Sequence, residues 1–135
     1  MVKFEKDKYF VTDSGIIVID TNLQGVWETS YLKQMQWAFP KIYKTYQRIC
    51  ISCIVKPGTC ILLEENGYKV ALLFTKQTYK ESDKLKILNN FKDALTDLFR
   101  LVPSDVWLYS PVLGRKDKAF TFMHSIIKEL NADVS

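Results

Sequence analysis

Hydrophobic and polar positions along the chain alternate between a strand period and a helix period. The first strand candidates are Val2 and Phe4, then Tyr9-Phe10-Val11, separated by the charged turn Glu5-Lys6-Asp7-Lys8. Ile16-Ile17-Val18-Ile19 follows, four β-branched residues in a row. A continuous apolar run of this kind predicts a strand buried on both faces, central in a sheet that helices cover. It ends at polar Asp20-Thr21-Asn22 and passes into Leu23-Gln24-Gly25. Such strand ends are where helix-covered sheets bind ligands.

From Thr29 the spacing lengthens to three and four. Leu32, Met35 and Phe39 share a helical stripe, with Thr29 or Ser30 as N-cap. Pro40 restarts the chain, and Ile42, Tyr43, Tyr46, Ile49, Cys50 and Cys53 mark one face of a second helix. Lys41, Lys44, Gln47 and Arg48 occupy the other. Pro57-Gly58 predicts a turn. Thr59–Glu64 and Tyr68–Thr75 then read as two strands joined across Asn66-Gly67, a hairpin signal because both turn residues need positive φ. Ser82 or Asp83 caps a long helix with Leu85, Leu88, Phe91, Leu95, Leu98, Phe99 and Val102 on one stripe, closed by Pro103. Asp105–Ser110 is another strand, and a loop over Pro111–Lys118 leads into a last helix. Its core face is Phe120, Met123, Ile126, Ile127 and Leu130. Hairpins mixed with strand–helix–strand crossovers predict an α/β three-layer sandwich with a mixed central sheet.

Composition limits this picture without redirecting it. The chain has 135 residues, 47% hydrophobic and 25% charged, which suits one packed domain over residues 1–135. No apolar run approaches a membrane span, and MVKFEKDKYF lacks an apolar signal core. The expected setting is cytoplasmic, with no membrane partner, and Cys50, Cys53 and Cys60 need no pairing in a reduced compartment. Net charge is +4, from nineteen basic and fifteen acidic residues without a basic block, which counts against a nucleic-acid partner.

The chemistry-bearing motifs are few. Cys50, Cys53, Cys60 and the single histidine, His124, make up a Cys₃His inventory, but buried thiols near a helix end explain them as well, and no metal is expected. A redox Cys-x-x-Cys opens a helix after a strand, whereas this one closes a helix. No Gly-x-Ser-x-Gly elbow, phosphate-cradling Gly-Lys loop or Gly-x-Gly-x-x-Gly occurs, so serine hydrolases, ATPases and conventional dinucleotide enzymes fall away and no cofactor is implied. Two loops between strand and helix remain, Asn22–Ser30 and Gly114–Phe120. Helix N-termini facing one crevice would suit a diphosphate, and Arg115 and Lys118 could add charge-assisted bonds. Two ordinary connections with solvated charges read equally well.

Several segments carry a family resemblance. Asn22-Leu23-Gln24-Gly25-Val26-Trp27, Gln34-Met35 and Phe39-Pro40-x-x-Tyr43-x-x-Tyr46 come first. Lys56-Pro57-Gly58, Leu73-Phe74-Thr75-Lys76 and Ser110-Pro111-x-Leu113-Gly114 follow in order. Together, over residues 15–130, they resemble the macrodomain family of ADP-ribose-binding modules, which has the same sandwich architecture. The resemblance implies that Asn22 approaches the distal ribose. It implies that Gly25, Val26, Trp27, Glu28, Thr29 and Ser30 wrap the diphosphate from one side, and Gly114, Arg115, Lys116 and Lys118 from the other. Phe120 would sit near the ribose and Asp13 near the adenine amino group. One branch removes ADP-ribose from acidic side chains with a strand-end Lys and a second-loop Asp, here matched by Lys76 and Asp117. The amine must be unprotonated when it attacks the anomeric carbon, with Asp117 as acid/base.

One departure bears on the ligand. The family has small glycines where this chain has Glu28-Thr29-Ser30. A carboxylate ~4 Å from a diphosphate charge is repelled by ~1 kcal/mol in water-like surroundings and ~4 kcal/mol at an effective dielectric of 20. The leading expectation is binding of ADP-ribose or a related nucleotide, with hydrolysis from an ADP-ribosylated protein or from a 1″-phosphate as its extension. The alternative is a non-catalytic protein of the same fold whose altered loops sequester another nucleotide signal or contact a protein. A third reading, a single-stranded nucleic-acid binder using Lys41, Lys44 and Arg48, has the interspersed charge against it.

Overall fold

The computed structural model describes residues 3–5, 15–78, 80–102, 107–109 and 133–134. Its strands are β1 (Lys3–Glu5), β2 (Ile16–Asn22), β3 (Thr59–Glu65), β4 (Tyr68–Lys76), β5 (Trp107–Tyr109) and β6 (Asp133–Val134). Its helices are α1 (Ser30–Ala38), α2 (Pro40–Ser52) and α3 (Lys84–Leu101). One sheet holds all six strands in the order β3-β4-β2-β5-β1-β6. The β3–β4 hairpin is antiparallel and the remaining pairings are parallel, giving the mixed sheet expected from the sequence.

The β-branched run of β2 is central because it has an apolar layer on each side. Ile16 and Val18 pack with Ala71, Leu73, Phe91, Leu95 and Leu98 on the α3 face. Ile17 and Ile19 pack with Leu72, Phe74, Met35, Ile42 and Tyr46 on the α1–α2 face. No residue of the run exceeds 2% exposure, so each contributes roughly the 1.5–3 kcal/mol of a fully buried aliphatic side chain. Helices on both faces of one sheet make the three-layer α/β/α sandwich.

Local chemistry sets the element ends. Asn66 (φ 53°) and Gly67 (φ 82°) turn the β3–β4 hairpin in the left-handed region. Of the paired cap candidates, Thr29 caps α1 and Asp83 caps α3, each side chain accepting an N–H three residues on. The cap of α2 comes from elsewhere. Its N-cap residue, Phe39, has no side-chain oxygen to offer. Instead the buried carboxylate of Glu65, at the end of β3, accepts the Ile42 N–H at 2.8 Å. A carboxylate at this position satisfies an orphan donor and complements the positive end of the helix.

Two residues leave the stripes assigned to them. Cys53 is exposed, because α2 ends at Ser52 and Cys53 adopts a left-handed conformation (φ 56°) that turns it off the helical face. Leu85 is 69% exposed, because it lies in the first turn of α3, ahead of the buried set Phe91, Ala94, Leu95 and Leu98. Strand β6 had no counterpart in the hydrophobic pattern. The strand expected at Tyr9-Phe10-Val11 and the helix over Phe120–Leu130 lie outside the described residues.

The Glu65 cap predicts the behaviour of two variants. Glu65→Ala should lose about 1–3 kcal/mol of unfolding free energy in urea titration with an unchanged m-value, and Glu65→Gln, which keeps an acceptor, about half of that. A midpoint unmoved in both would show that the cap contributes nothing.

Candidate functional site

The strand order turns back at β2. After β2 the chain runs through α1 and α2 to the β3–β4 edge, and after β4 it crosses through α3 to β5 on the other side of β2. Because β2, β4 and β5 are parallel, the chain leaves all three at one end of the sheet. The crevice outside those carboxyl ends is the position at which open α/β sheets bind ligands.

The segment after β2 is built around one side chain. Asn22 is 4% exposed, and its Nδ2 donates to the Val26 carbonyl at 2.7 Å while its Oδ1 accepts the Gln24 N–H at 2.9 Å. These bonds fold residues 22–26 back on themselves. The Tyr46 hydroxyl from α2 lies 2.8 Å from Asn22 Oδ1 and 2.9 Å from the Asn22 carbonyl, so its one proton serves two acceptors. Gly25 occupies the left-handed region (φ 76°), where any other L-residue is strained. Its carbonyl accepts from the Tyr43 hydroxyl at 3.2 Å and from Gln47 Nε2 at 3.3 Å. Leu23 N–H donates to the Lys76 carbonyl at 3.1 Å, which ties the loop to the end of β4.

Trp27 then plunges into the α1–α2 core. It is 2% exposed, its Nε1 donates to Thr21 Oγ1 at 2.9 Å, and its ring stacks on Tyr46 with centroids 5.0 Å apart. Tyr43 meets the same ring at 4.9 Å, tilted by 55°. Glu28, Thr29 and Ser30 emerge exposed, and Thr29 takes the Leu32 N–H on Oγ1 and the Lys33 N–H on its carbonyl. The α1 N-terminus therefore opens at this loop, with its partial positive charge directed to the crevice end of the sheet.

The electrostatics of the holding residues are simple. Burial pushes the Tyr46 hydroxyl far above its ordinary value, with the Thr21 hydrogen bond opposing, so it stays a proton donor. Burial also raises the Cys50 thiol, whose Sγ lies 3.9 Å from the Asn22 carbonyl. Cys60 sits on the other face of the sheet, against α3, where burial and then the Asp97 charge push its thiol up to about 12. The three cysteines thus do not converge. Among the described residues no group of three or more His, Cys, Asp or Glu is placed to hold a metal.

Of the residues singled out in the sequence, Asn22, Gly25, Val26, Trp27, Glu28, Thr29 and Ser30 form this one segment. Lys76 stands beside it, half-buried at the end of β4 and in register with Asn22. Trp27 and Asn22 are internal to the protein: one is core, the other the clasp of the loop. Asp13, Gly114, Arg115, Lys116, Asp117, Lys118, Phe120 and His124 lie outside the described residues. The sequence pattern missed the holders from α2, Gln47 foremost. It was assigned to the solvent face, yet it donates to Gly25 and to the Tyr43 hydroxyl.

No family model matches the sequence, and no curated protein does. Solved structures do match. The macrodomain of Mycobacterium tuberculosis DarG superposes with a TM-score of 0.74 at 17% identity, over 99% of this chain and 96% of that one. The Thermus aquaticus DarG macrodomain gives 0.72 at 18% identity, over 99% and 97%. This chain folds as a macrodomain. A Thermosipho africanus DarTG structure in complex with ADP-ribose shares the fold with a TM-score of 0.66 at 14% identity, over 90% of this chain and 37% of that one.

In this fold the Tyr46 hydroxyl joins loop and helix, so its removal is informative. Tyr46→Phe should cost about 1–3 kcal/mol, because two buried Asn22 acceptors lose their shared donor. The pH dependence has a definite sign. The native hydroxyl holds its proton above pH 10, where denatured tyrosines release theirs, so stability present below about pH 10 falls as pH rises. Urea midpoints taken from pH 9 to 11 should show a shallower alkaline decline in Tyr46→Phe than in the parent; parallel declines would exclude Tyr46 as a contributor.

Proposed function

We propose that this protein binds ADP-ribose, or a nucleotide of that type, in the crevice at the carboxyl ends of β2, β4 and β5. The observation that carries the reading is the Asn22–Thr29 loop. It is closed by Asn22, set in a left-handed bend at Gly25, and delivered to a capped helix N-terminus. That combination presents backbone N–H groups and a helix dipole to a phosphate group without a basic side chain. The shared fold with a protein solved in complex with ADP-ribose supports the choice of ligand.

In this reading Gly25, Val26, Trp27, Glu28, Thr29 and Ser30 supply the backbone along the diphosphate, although the Trp27 ring itself stays in the core. Asn22 offers its second Nδ2 hydrogen toward the distal ribose. Gly114, Arg115, Lys116 and Lys118 close over the other side, Phe120 takes the ribose and Asp13 the adenine amino group. Glu28 is exposed, so its repulsion belongs at the water-like end of the range, ~1 kcal/mol.

The finer reading is hydrolysis of ADP-ribose from acidic side chains of a modified protein. Lys76 Nζ attacks the anomeric carbon, the C–O bond to the side-chain carboxylate breaks, and Asp117 takes the proton from the amine. Water then displaces the amine and frees ADP-ribose. The three free thiols fit a reducing, cytoplasmic setting for this chemistry.

Calorimetric titration with ADP-ribose at low and moderate salt should give micromolar binding, about −8 kcal/mol. Glu28→Gln should tighten it about fivefold, and Gly25→Val should weaken it at least tenfold, the bend being strained by any side chain. No heat up to millimolar ligand would overturn the nucleotide reading. Release of ADP-ribose from a glutamate-modified protein should fall ~100-fold in Lys76→Ala with affinity retained. Binding without release by the parent would leave a sequestering module of the same fold.

A further inference from the structure

The outward face of α1 and α2 carries a charge and apolar pattern that nucleotide binding does not use. Residues 29–63 contain five cations, Lys33, Lys41, Lys44, Arg48 and Lys56, and no Asp or Glu. The rest of the chain then has fourteen basic and fifteen acidic residues, so the whole net charge of +4 arises in this one segment. The charges are interspersed along the chain as a whole, but not here.

Their placement is ordered. Lys41, Lys44, Arg48 and Ile51 are spaced three, four and three apart, which puts them on one stripe of α2, and all four are exposed. The opposite side of α2 carries Ile42 and Tyr46 into the core, and the flank between the two places Tyr43 and Gln47 on the Gly25 loop. Lys41 with Lys44, and Lys44 with Arg48, are like-charge neighbours that cost an isolated helix a few tenths of a kcal/mol each. No acidic residue of α1 or α2 offsets them.

Exposed apolar side chains flank the stripe along the chain on each side. Trp37, in the last turn of α1, is 88% exposed, and Ile51 and Ile54 are 81% and 80% exposed. Trp37 and Lys41 are four positions apart, at most about 14 Å of chain, and α2 itself is about 20 Å long. Ile54 follows the left-handed cap Cys53, where an apolar side chain ordinarily folds back onto the helix. Here it stands in solvent.

We propose that this α1–α2 face docks a partner protein whose surface is acidic and studded with apolar side chains. The cation stripe selects the acidic charge. The apolar ends decide between the two classes of polyanion. A nucleic acid would stack on Trp37 and pair with the cations, but it has no use for two exposed isoleucines, whereas a protein surface buries all three. A tryptophan and an arginine in one patch is also the composition that dominates protein–protein binding energy. The stripe lies about 100° round α2 from Tyr43 and Gln47, which hold the Gly25 loop, and shares no residue with them.

The test uses the full chain and three labelled probes of equal net charge, read by fluorescence anisotropy. They are an amphipathic Glu/Leu helix, a Glu/Gln peptide without apolar residues, and an oligothymidylate. The Glu/Leu peptide should bind about tenfold or more tighter than either other probe. The Lys41→Glu/Arg48→Glu variant should weaken it about tenfold, and Trp37→Ala/Ile51→Ser should reduce it to the level of the Glu/Gln peptide. ADP-ribose affinity and the urea midpoint of each variant should match the parent, which separates a lost surface from a lost fold. Equal binding of the two peptides would overturn the proposal as mere charge attraction. Preference for the oligothymidylate would overturn it in favour of a nucleic-acid face.

Discussion

The bond between the Tyr46 hydroxyl and Asn22 is the constraint on which the site depends. Asn22 ends the central strand, and every polar atom it brings into the interior needs a partner, since an unpaired buried group costs more than a bond gains. The carboxamide meets that need by closing the loop through Val26 and Gln24, and the hydroxyl meets the rest from α2. One contact thereby fixes the exit of β2, the shape of the loop and the distance of α2 from the sheet. Trp27 locks the same arrangement from below, with its indole on Thr21 and its ring on Tyr46.

Rigidity at the site then follows from how α2 is held along its length. Its first turn is tied to the β3–β4 hairpin by Glu65, and its next turns, up to the middle, are tied to the loop by Tyr43, Tyr46 and Gln47. The hairpin is in turn continuous with β4, whose last residue, Lys76, receives the Leu23 N–H. The loop, the helix and the strand end form a closed circuit of hydrogen bonds. A loop on such a support keeps one geometry, which lowers the ordering cost of the binding proposed for it.

How much of this the sequence disclosed depended on how far apart the partners lie. The β-branched run Ile16–Ile19, the Asn66-Gly67 turn and the Thr29 and Asp83 caps are local signals, each settled within a few residues, and each was legible. Glu65 and Ile42 are 23 residues apart, and Tyr46 and Asn22 are 24 apart; no periodicity connects them. Glu65 fell just past the strand read over Thr59–Glu64, and Gln47 was placed on the solvent face of its helix. Cys53 and Leu85 went wrong for a related reason. A spacing rule extends a stripe past the point where the backbone leaves the helix or the neighbouring layer stops, and only the packed structure marks that point. The ordered set of short matches to macrodomains carried the fold further than any single motif did.

The substitution of Glu28-Thr29-Ser30 for small residues gains a physical reading from the same geometry. Glycine is demanded by backbone conformation at Gly25 alone in this loop, where φ is positive. Beyond it the chain enters α1, and Thr29 does there what glycine cannot: it caps the helix with its hydroxyl and holds the first turn in register. The loop gives up some closeness of approach near Ser30 and gains a fixed helix start. The exposed Glu28 is the residue left to oppose an anion, and its carboxylate stands in water, whose high dielectric holds a repulsion at ~4 Å to ~1 kcal/mol. The nucleotide reading proposed above therefore asks the Gly25 bend and the α1 dipole, rather than Glu28-Thr29-Ser30, to grip the phosphate.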